Sequence, residues 1–309
     1  MDAAIRLENV KKTLGKREVL KGISFAVEKG DIFGYLGSNG AGKTTTIRVL
    51  LDLIRAESGQ AYIGEQQTTH DEARKKVGFV LDADGLYDNM TAEQNLEFYS
   101  QIYGIPKGAA QIDRLLEIVG LRDRIQDRAG TFSKGMRQRL ALARAMVHDP
   151  ETLILDEPMS GIDPSGQIEL RQIMLDLVHT EKKTIFLSSH DLDEVQRICN
   201  RIALIDRGEI VLYGELESLR REIGHGRIVI ETAQEVPALL LQELAGLPRL
   251  GFQSKQERRL VFSPPVETDV SEIVSFLVER GVGIEGVKRE EASLEDLYAS
   301  ILKAREGPP

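Results

Sequence analysis

A chain of 309 residues, 41% hydrophobic and 29% charged, is long enough for one large α/β domain and one small one. Its net charge of −9 argues against a nucleic-acid-binding surface, and its one cysteine, Cys199, cannot close an internal disulfide, which fits a reducing compartment. No run of roughly 18 uncharged apolar residues could span a bilayer, and the opening MDAAIRLENVKK lacks the apolar core of a secretory leader.

In chain order, IRLENV, VLKGISFAV and DIFGYLG read as strands, the last running into a glycine-rich turn. A helix is expected from Lys43 to Leu53, then short strands at QAYIG and VGFVL. Residues 88–148 read as mostly helical, with Thr91 and Gln94 forming a capping box. LILD, TIFLSS and RIALID are short apolar runs. Asp163 before Pro164 and Asp191 with Glu194 mark helix starts between them. Strands alternating with helices predict a mainly parallel sheet covered on both faces. Arg207-Gly208 reads as the turn of a hairpin into EIVLYG.

After about residue 222 the pattern changes. RIVIE, a helix over 234–245, GFQSK, RRLVFS, a helix over 268–280, VGIEGVKRE and a last helix over 293–304 suggest a compact α+β module. The domains are therefore expected at 1–222, with a helical part at about 88–148, and at 223–309.

Gly37-Ser38-Asn39-Gly40-Ala41-Gly42-Lys43-Thr44, followed by Thr45, fits G-x-x-x-x-G-K-[ST] between an expected strand and an expected helix. Glycines let backbone N–H groups converge on phosphate oxygens, and Lys43 and the helix dipole add positive potential there. The Thr44 hydroxyl can ligate Mg²⁺. Further along, the apolar strand Leu153-Ile154-Leu155 ends in Asp156 and Glu157, two acids at the carboxyl edge where α/β sheets bind ligands. Asp156 is placed to hold Mg²⁺ and Glu157 to act as general base on the attacking water.

Phe132-Ser133-Lys134-Gly135-Met136-Arg137-Gln138-Arg139 opens a helix shortly before that strand, with Ser133 as its cap. This string resembles the signature motif of ABC ATPases, in the form used by drug and ion exporters. Ser160-Gly161-Ile162-Asp163 is similar to that family's D-loop and Ser188-Ser189-His190-Asp191 to its switch histidine. The resemblance covers residues 4–222. It implies a P-loop NTPase (RecA-like) α/β core with an antiparallel β subdomain and a helical signature subdomain. The C-terminal module resembles, less specifically, the small α+β domain of this exporter branch.

The resemblance further implies ATP and Mg²⁺ as cofactors, with catalysis by Lys43, Glu157 and His190. It also implies a second ATPase subunit, most simply a homodimer, in which Ser133 and Gly135 of one copy meet the γ-phosphate held by the other. A separate multi-span permease would place the chain at the cytoplasmic face of the membrane.

Two positions depart from the family pattern. Asp82, in Val77-Gly78-Phe79-Val80-Leu81-Asp82, stands where a glutamine belongs; it can ligate Mg²⁺ but cannot donate an amide hydrogen bond. Leu14 stands where the adenine-stacking aromatic would fall. Cys199 is read as core filler, and Arg137, Arg139 and Arg144 as a solvated helix face. His70, His148, His179 and His225 show no metal-ligand spacing. Tyr99 and Tyr103, one helical turn apart, suit either a permease groove or core packing. Rival readings are a soluble ABC factor acting on ribosomes or DNA, which would carry paired ATPase domains or a long coiled coil, and a P-loop kinase, which has no use for Ser133.

Overall fold

The computed structural model describes residues 3–82, 84–105, 108–222, 227–264, 268–289 and 298. The expected helix at 293–304 lies, apart from residue 298, outside them, as does His225. The chain divides into two compact units, Met1–Glu215 and Leu216–Pro309.

In the first unit β1 (Ala3–Leu14) and β2 (Arg17–Glu28) form a long hairpin. Then β3 (Ile32–Leu36), buried at every residue, delivers the chain through the glycine loop to α1 (Lys43–Leu50). β4 (Ser58–Ile63) and β5 (Gln66–Gln67) complete an antiparallel sheet in the order β2-β1-β4-β5. After α2 (Asp71–Lys75) and β6 (Val77–Val80) come three helices, α3 (Ala92–Ile102), α4 (Ala109–Ile118) and α5 (Lys134–Ala145). The capping box of α3 is formed, Gln94 N–H donating to Thr91 Oγ1 at 3.1 Å and Thr91 N–H to Gln94 Oε1 at 3.0 Å.

The remainder alternates: β7 (Thr152–Asp156), α6 (Pro164–His179), β8 (Thr184–Ser189), α7 (Leu192–Ile198), β9 (Arg201–Asp206) and β10 (Glu209–Glu215). The central sheet has the order β10-β9-β3-β8-β7-β6 and is parallel except for the β9–β10 hairpin. Its turn residues Arg207 and Gly208 both have positive φ, 47° and 85°, the twist a two-residue hairpin prefers. Near-continuous apolar strands are what a parallel sheet buried on both faces requires.

An aromatic layer joins the two sheets: Phe25 of β2 lies 5.5 Å from Phe33, which lies 5.7 Å from Phe186, all near-parallel. Beside them the fully buried Tyr35 hydroxyl meets Thr46 Oγ1 at 3.0 Å and fixes α1 against β3. Such a packed layer holds the loop between β3 and α1 in one geometry. Cys199 is buried, as core filler should be, and its thiol is pushed up by burial.

The second unit holds α8 (Leu216–Glu222), β11 (Ile228–Thr232), α9 (Ala238–Ala245), β12 (Phe252–Gln256), β13 (Arg259–Phe262), α10 (Val270–Glu279) and β14 (Ile284–Arg289). Its sheet is antiparallel, β12-β13-β11-β14. Ile228, Ile230, Leu260 and Phe262 of the sheet share one core with Leu240, Leu244, Ile273 and Leu277 of α9 and α10. α9 starts later than its apolar pattern, because Pro237 is its N-cap and disfavours helical geometry at Val236. α8 belongs to this unit, so the seam lies before it, whereas the change in sequence style put it at 222/223. Among the described residues no helix is long and apolar enough to cross a membrane.

Candidate active site

β3, β8 and β7 lie side by side, and their carboxyl ends carry Asp156, the last residue of β7, Glu157 and His190 just beyond β7 and β8, and Lys43 at the start of α1. The glycine loop is tight for identifiable reasons. A Cβ on Gly37 would lie 2.5 Å from the Ile205 carbonyl oxygen; one on Gly42, at φ 125°, would meet Leu20 at 2.9 Å and Ile205 at 3.0 Å. Only glycine fits both positions. Gly42 is also the N-cap of α1 and offers no side-chain cap, and no acid stands in the first turn. The first N–H groups of α1 are thus left for an anion, the arrangement that binds phosphate.

Lys43 is buried, and its ammonium donates to the Gly37 carbonyl at 2.7 Å and pairs with Glu157 Oε1 at 3.2 Å. The other Glu157 oxygen, Oε2, lies 2.8 Å from His190 Nδ1. Glu157 itself takes a left-handed backbone, φ 49°, uncommon for a side chain of its kind. Thr44 Oγ1 donates to Asp156 Oδ2 at 3.2 Å, so two hard oxygen donors converge where a Mg²⁺ ion could sit. Among the described residues no group of three or more His, Cys, Asp or Glu could hold a metal alone. A Mg²⁺ site completed by phosphate oxygens needs no such cage.

Leu14, Ser38, Asn39, Gly40, Thr45 and Glu157 line one cavity of about 300 Å³ with Lys43 and Thr44. Leu14 is 44% exposed at the end of β1, positioned to cover a ligand without stacking on it. Ala41 is buried beneath the loop, its N–H donating to the Ser38 carbonyl at 3.1 Å. Two further lining residues, Arg17 and Val19, carried no motif in the sequence. Arg17 donates to the Gly40 carbonyl at 3.1 Å, so the β1–β2 turn is fastened to the loop. The signal was their place just beyond Leu14 across a glycine turn.

Ser133, Gly135 and Asp82 do not line this cavity. Ser133 caps α5, accepting from Met136 N–H at 3.3 Å, and is exposed. No acid stands in the first turn of α5. Gly135 lets α5 press on the loop before α6, since a Cβ there would sit 3.3 Å from Ile162 Cγ2. Asp82 is exposed on the segment after β6, next to β7 in the sheet.

The three arginines of α5 are not a solvated face. Arg144 is 7% exposed, donates to the Phe79 carbonyl at 2.7 Å and lies 5.1 Å over the Tyr99 ring. Arg137 grips Asp84 with two bonds, at 2.7 and 3.1 Å, and Asp88 with a third at 2.5 Å. Arg139 donates to the Val119 carbonyl at 3.3 Å and pairs with Glu169 at 3.2 Å. Carboxylates and carbonyls far off in sequence draw them in. Tyr99 donates its hydroxyl to the Gly85 carbonyl. Tyr103, 36% exposed, stacks on His148 at 4.0 Å. His148 meets the Val77 carbonyl at 3.0 Å, and burial holds its pKa below the usual imidazole value.

The chain is similar to known proteins. The family model described as ABC transporter matches residues 20–160. The linearmycin resistance ATP-binding protein LnrL of Bacillus subtilis is 33% identical over 304 residues, covering 96% of this chain and 97% of that protein. The bacitracin transport ATP-binding protein BcrA of Bacillus licheniformis is 34% identical over 305 residues, covering 98% of each. A solved ATP-binding subunit of an ABC transporter is similar over 72% of this chain and 93% of its own, with 27% identity and a TM-score of 0.63. A dimeric ATP-binding cassette in a post-hydrolysis state with ADP and Pi is similar over 69% of this chain and 98% of its own, with 25% identity and a TM-score of 0.61. The chain belongs to the ABC transporter family, as an ATP-binding subunit that hydrolyses ATP to power transport.

Proposed function

We propose that this subunit drives export of a small molecule through a separate permease, as a homodimer with two equivalent sites. The observation that supports the reading is that one chain carries two separate features suited to a nucleotide. The first is the cavity of about 300 Å³ at the glycine loop, with Glu157 on its wall. The second, outside that cavity, is the exposed Ser133-capped start of α5, with no acid in its first turn. An uncompensated helix N-terminus favours an anion, and a second copy brings one.

In this reading Lys43 and the α1 N–H groups hold the phosphates, while Thr44 and Asp156 hold Mg²⁺. Asp82 adds a carboxylate at the same sheet edge and relays its state to the permease. Glu157 accepts a proton from the attacking water and His190 steadies Glu157. Mg²⁺, when bound, neutralises charge developing on the β- and γ-phosphates. The names of LnrL and BcrA, which speak of linearmycin resistance and bacitracin transport, support the export of such compounds. The permease would hold the chain at the cytoplasmic face of the membrane. The 223–309 region would extend or regulate the dimer.

The test is nucleotide-dependent association. With Glu157→Gln to block turnover, ATP and Mg²⁺ should convert the monomer to a dimer in sedimentation. Adding Ser133→Arg should abolish that dimer while nucleotide still binds. A dimer that survives Ser133→Arg refutes the shared-site arrangement.

A further inference from the structure

Ser188 is the last residue but one of β8, is 0% exposed, and lies in register with Asp156 of the neighbouring parallel strand β7. Its hydroxyl makes two hydrogen bonds of opposite sense. It donates its single proton to Asp156 Oδ1 at 2.6 Å and accepts the Glu157 N–H at 2.9 Å. Both capacities of a serine hydroxyl are thus used on two consecutive acids.

Each bond has a consequence. With Oδ1 of Asp156 engaged by Ser188, the carboxylate plane is set and Oδ2 is the oxygen that meets Thr44 Oγ1 at 3.2 Å. The bond to the Glu157 N–H pins a residue whose φ of 49° is uncommon outside glycine, asparagine and aspartate. That left-handed turn brings the Glu157 carboxylate between Lys43, at 3.2 Å, and His190, at 2.8 Å. The next serine serves a different element, its hydroxyl accepting from the Asp191 N–H at 3.0 Å at the start of α7. Neighbouring side chains of a strand point to opposite faces, so only one of the two serines can serve the acids.

We infer that Ser188 is a positioning residue for ATP hydrolysis: its one buried hydroxyl orients the Asp156 carboxylate toward the metal and holds the backbone turn that aims Glu157. The inference rests on Asp156 as metal ligand and Glu157 as base. An aliphatic residue at this place would fill the strand yet take this partner from Asp156 Oδ1 and from the Glu157 N–H. Outer-shell groups that orient a ligand and a base act on turnover and on metal affinity together.

The experiment compares Ser188→Ala, Ser188→Thr and Glu157→Gln in the full chain. It measures kcat, KM for ATP, melting temperature, and binding of a fluorescent ATP analogue with Mg²⁺ and with EDTA. Ser188→Ala should lose about 10-fold to 100-fold in kcat. It should also bind nucleotide more weakly with Mg²⁺ present, with EDTA binding unchanged. Ser188→Thr keeps the hydroxyl and should recover turnover and Mg²⁺ dependence. If Ser188→Ala only lowers the melting temperature, with kcat and Mg²⁺ dependence kept, Ser188 is a packing residue and the inference is overturned. Loss of both in Ser188→Thr overturns it too. Full turnover in Glu157→Gln would remove the base on which the inference stands. An inactive Glu157→Gln beside a fully active Ser188→Ala would sink the inference alone.

Discussion

The two units of this chain are built under different rules. In Met1–Glu215 the functional segments break local preference: Glu157 is left-handed, and Lys43 and Asp156 are charged yet buried. In Leu216–Pro309 the rules are kept. Aliphatic and aromatic side chains form the core, while the ion pairs Arg259–Glu231 and Arg280–Glu243 stay at the surface. α10 buries Ile273, Phe276 and Leu277, one helical face, and starts from an Asp269 cap. Strain and buried charge are costs a fold carries where chemistry or packing requires them; at one sheet edge they coincide, in Lys43, Asp156 and Glu157. The second unit has no comparable irregularity among its described residues beyond turn positions such as Glu257 and Gly251.

The largest expected effect tests the first half of that contrast. Glu157→Gln keeps the shape of the side chain and removes the base, so turnover should fall by about 10²–10⁴ while the melting temperature barely moves. Retained turnover would mean that the left-handed acid is a structural oddity. The converse holds in the second unit, where Phe262, fully buried, packs edge-on against Phe252 with centroids 5.6 Å apart. Phe262→Ala should cost about 3–5 kcal/mol. Hydrogen exchange should show faster opening confined to β11–β14, α9 and α10, with ATP affinity unchanged. A loss of ATP affinity would show that the two units are not energetically separate.

How much of this was legible in the sequence follows the same division. The glycine loop stands out by its residue types at fixed spacing, Asp156 and Glu157 by their place at a strand end, and His190 by resemblance to the family's switch histidine; the structure gathers them at one sheet edge. The arginines of α5 were misread for the opposite reason. Arg137 finds Asp84 53 residues away and Arg144 finds the Phe79 carbonyl 65 residues away, and no spacing rule signals such partners. Ser188 was visible only as a neighbour of His190; its role needs the strand register that sets it beside Asp156. In the second unit periodicity finds β11–β14, α9 and α10 but not α8, which reads as the end of the first domain, and the missed start of α9 is a matter of one proline.

The smallest expected effect concerns the rim of the cavity, where the first unit itself follows ordinary rules. Leu14 lines the same cavity as Lys43 and Thr44, near Arg17 and Val19, but offers an aliphatic surface. Leu14→Tyr adds a ring where a base would lie, worth about 0.5–1.5 kcal/mol in stacking. Nucleotide affinity should therefore rise by up to roughly tenfold. Every base presents a π-face, so ATP and GTP should gain alike, whereas inorganic tripolyphosphate should gain nothing. A gain for tripolyphosphate would mean that the ring acts on the glycine loop through Arg17. No gain for either nucleotide would place the base away from Leu14 and leave the cavity's recognition to the phosphates alone.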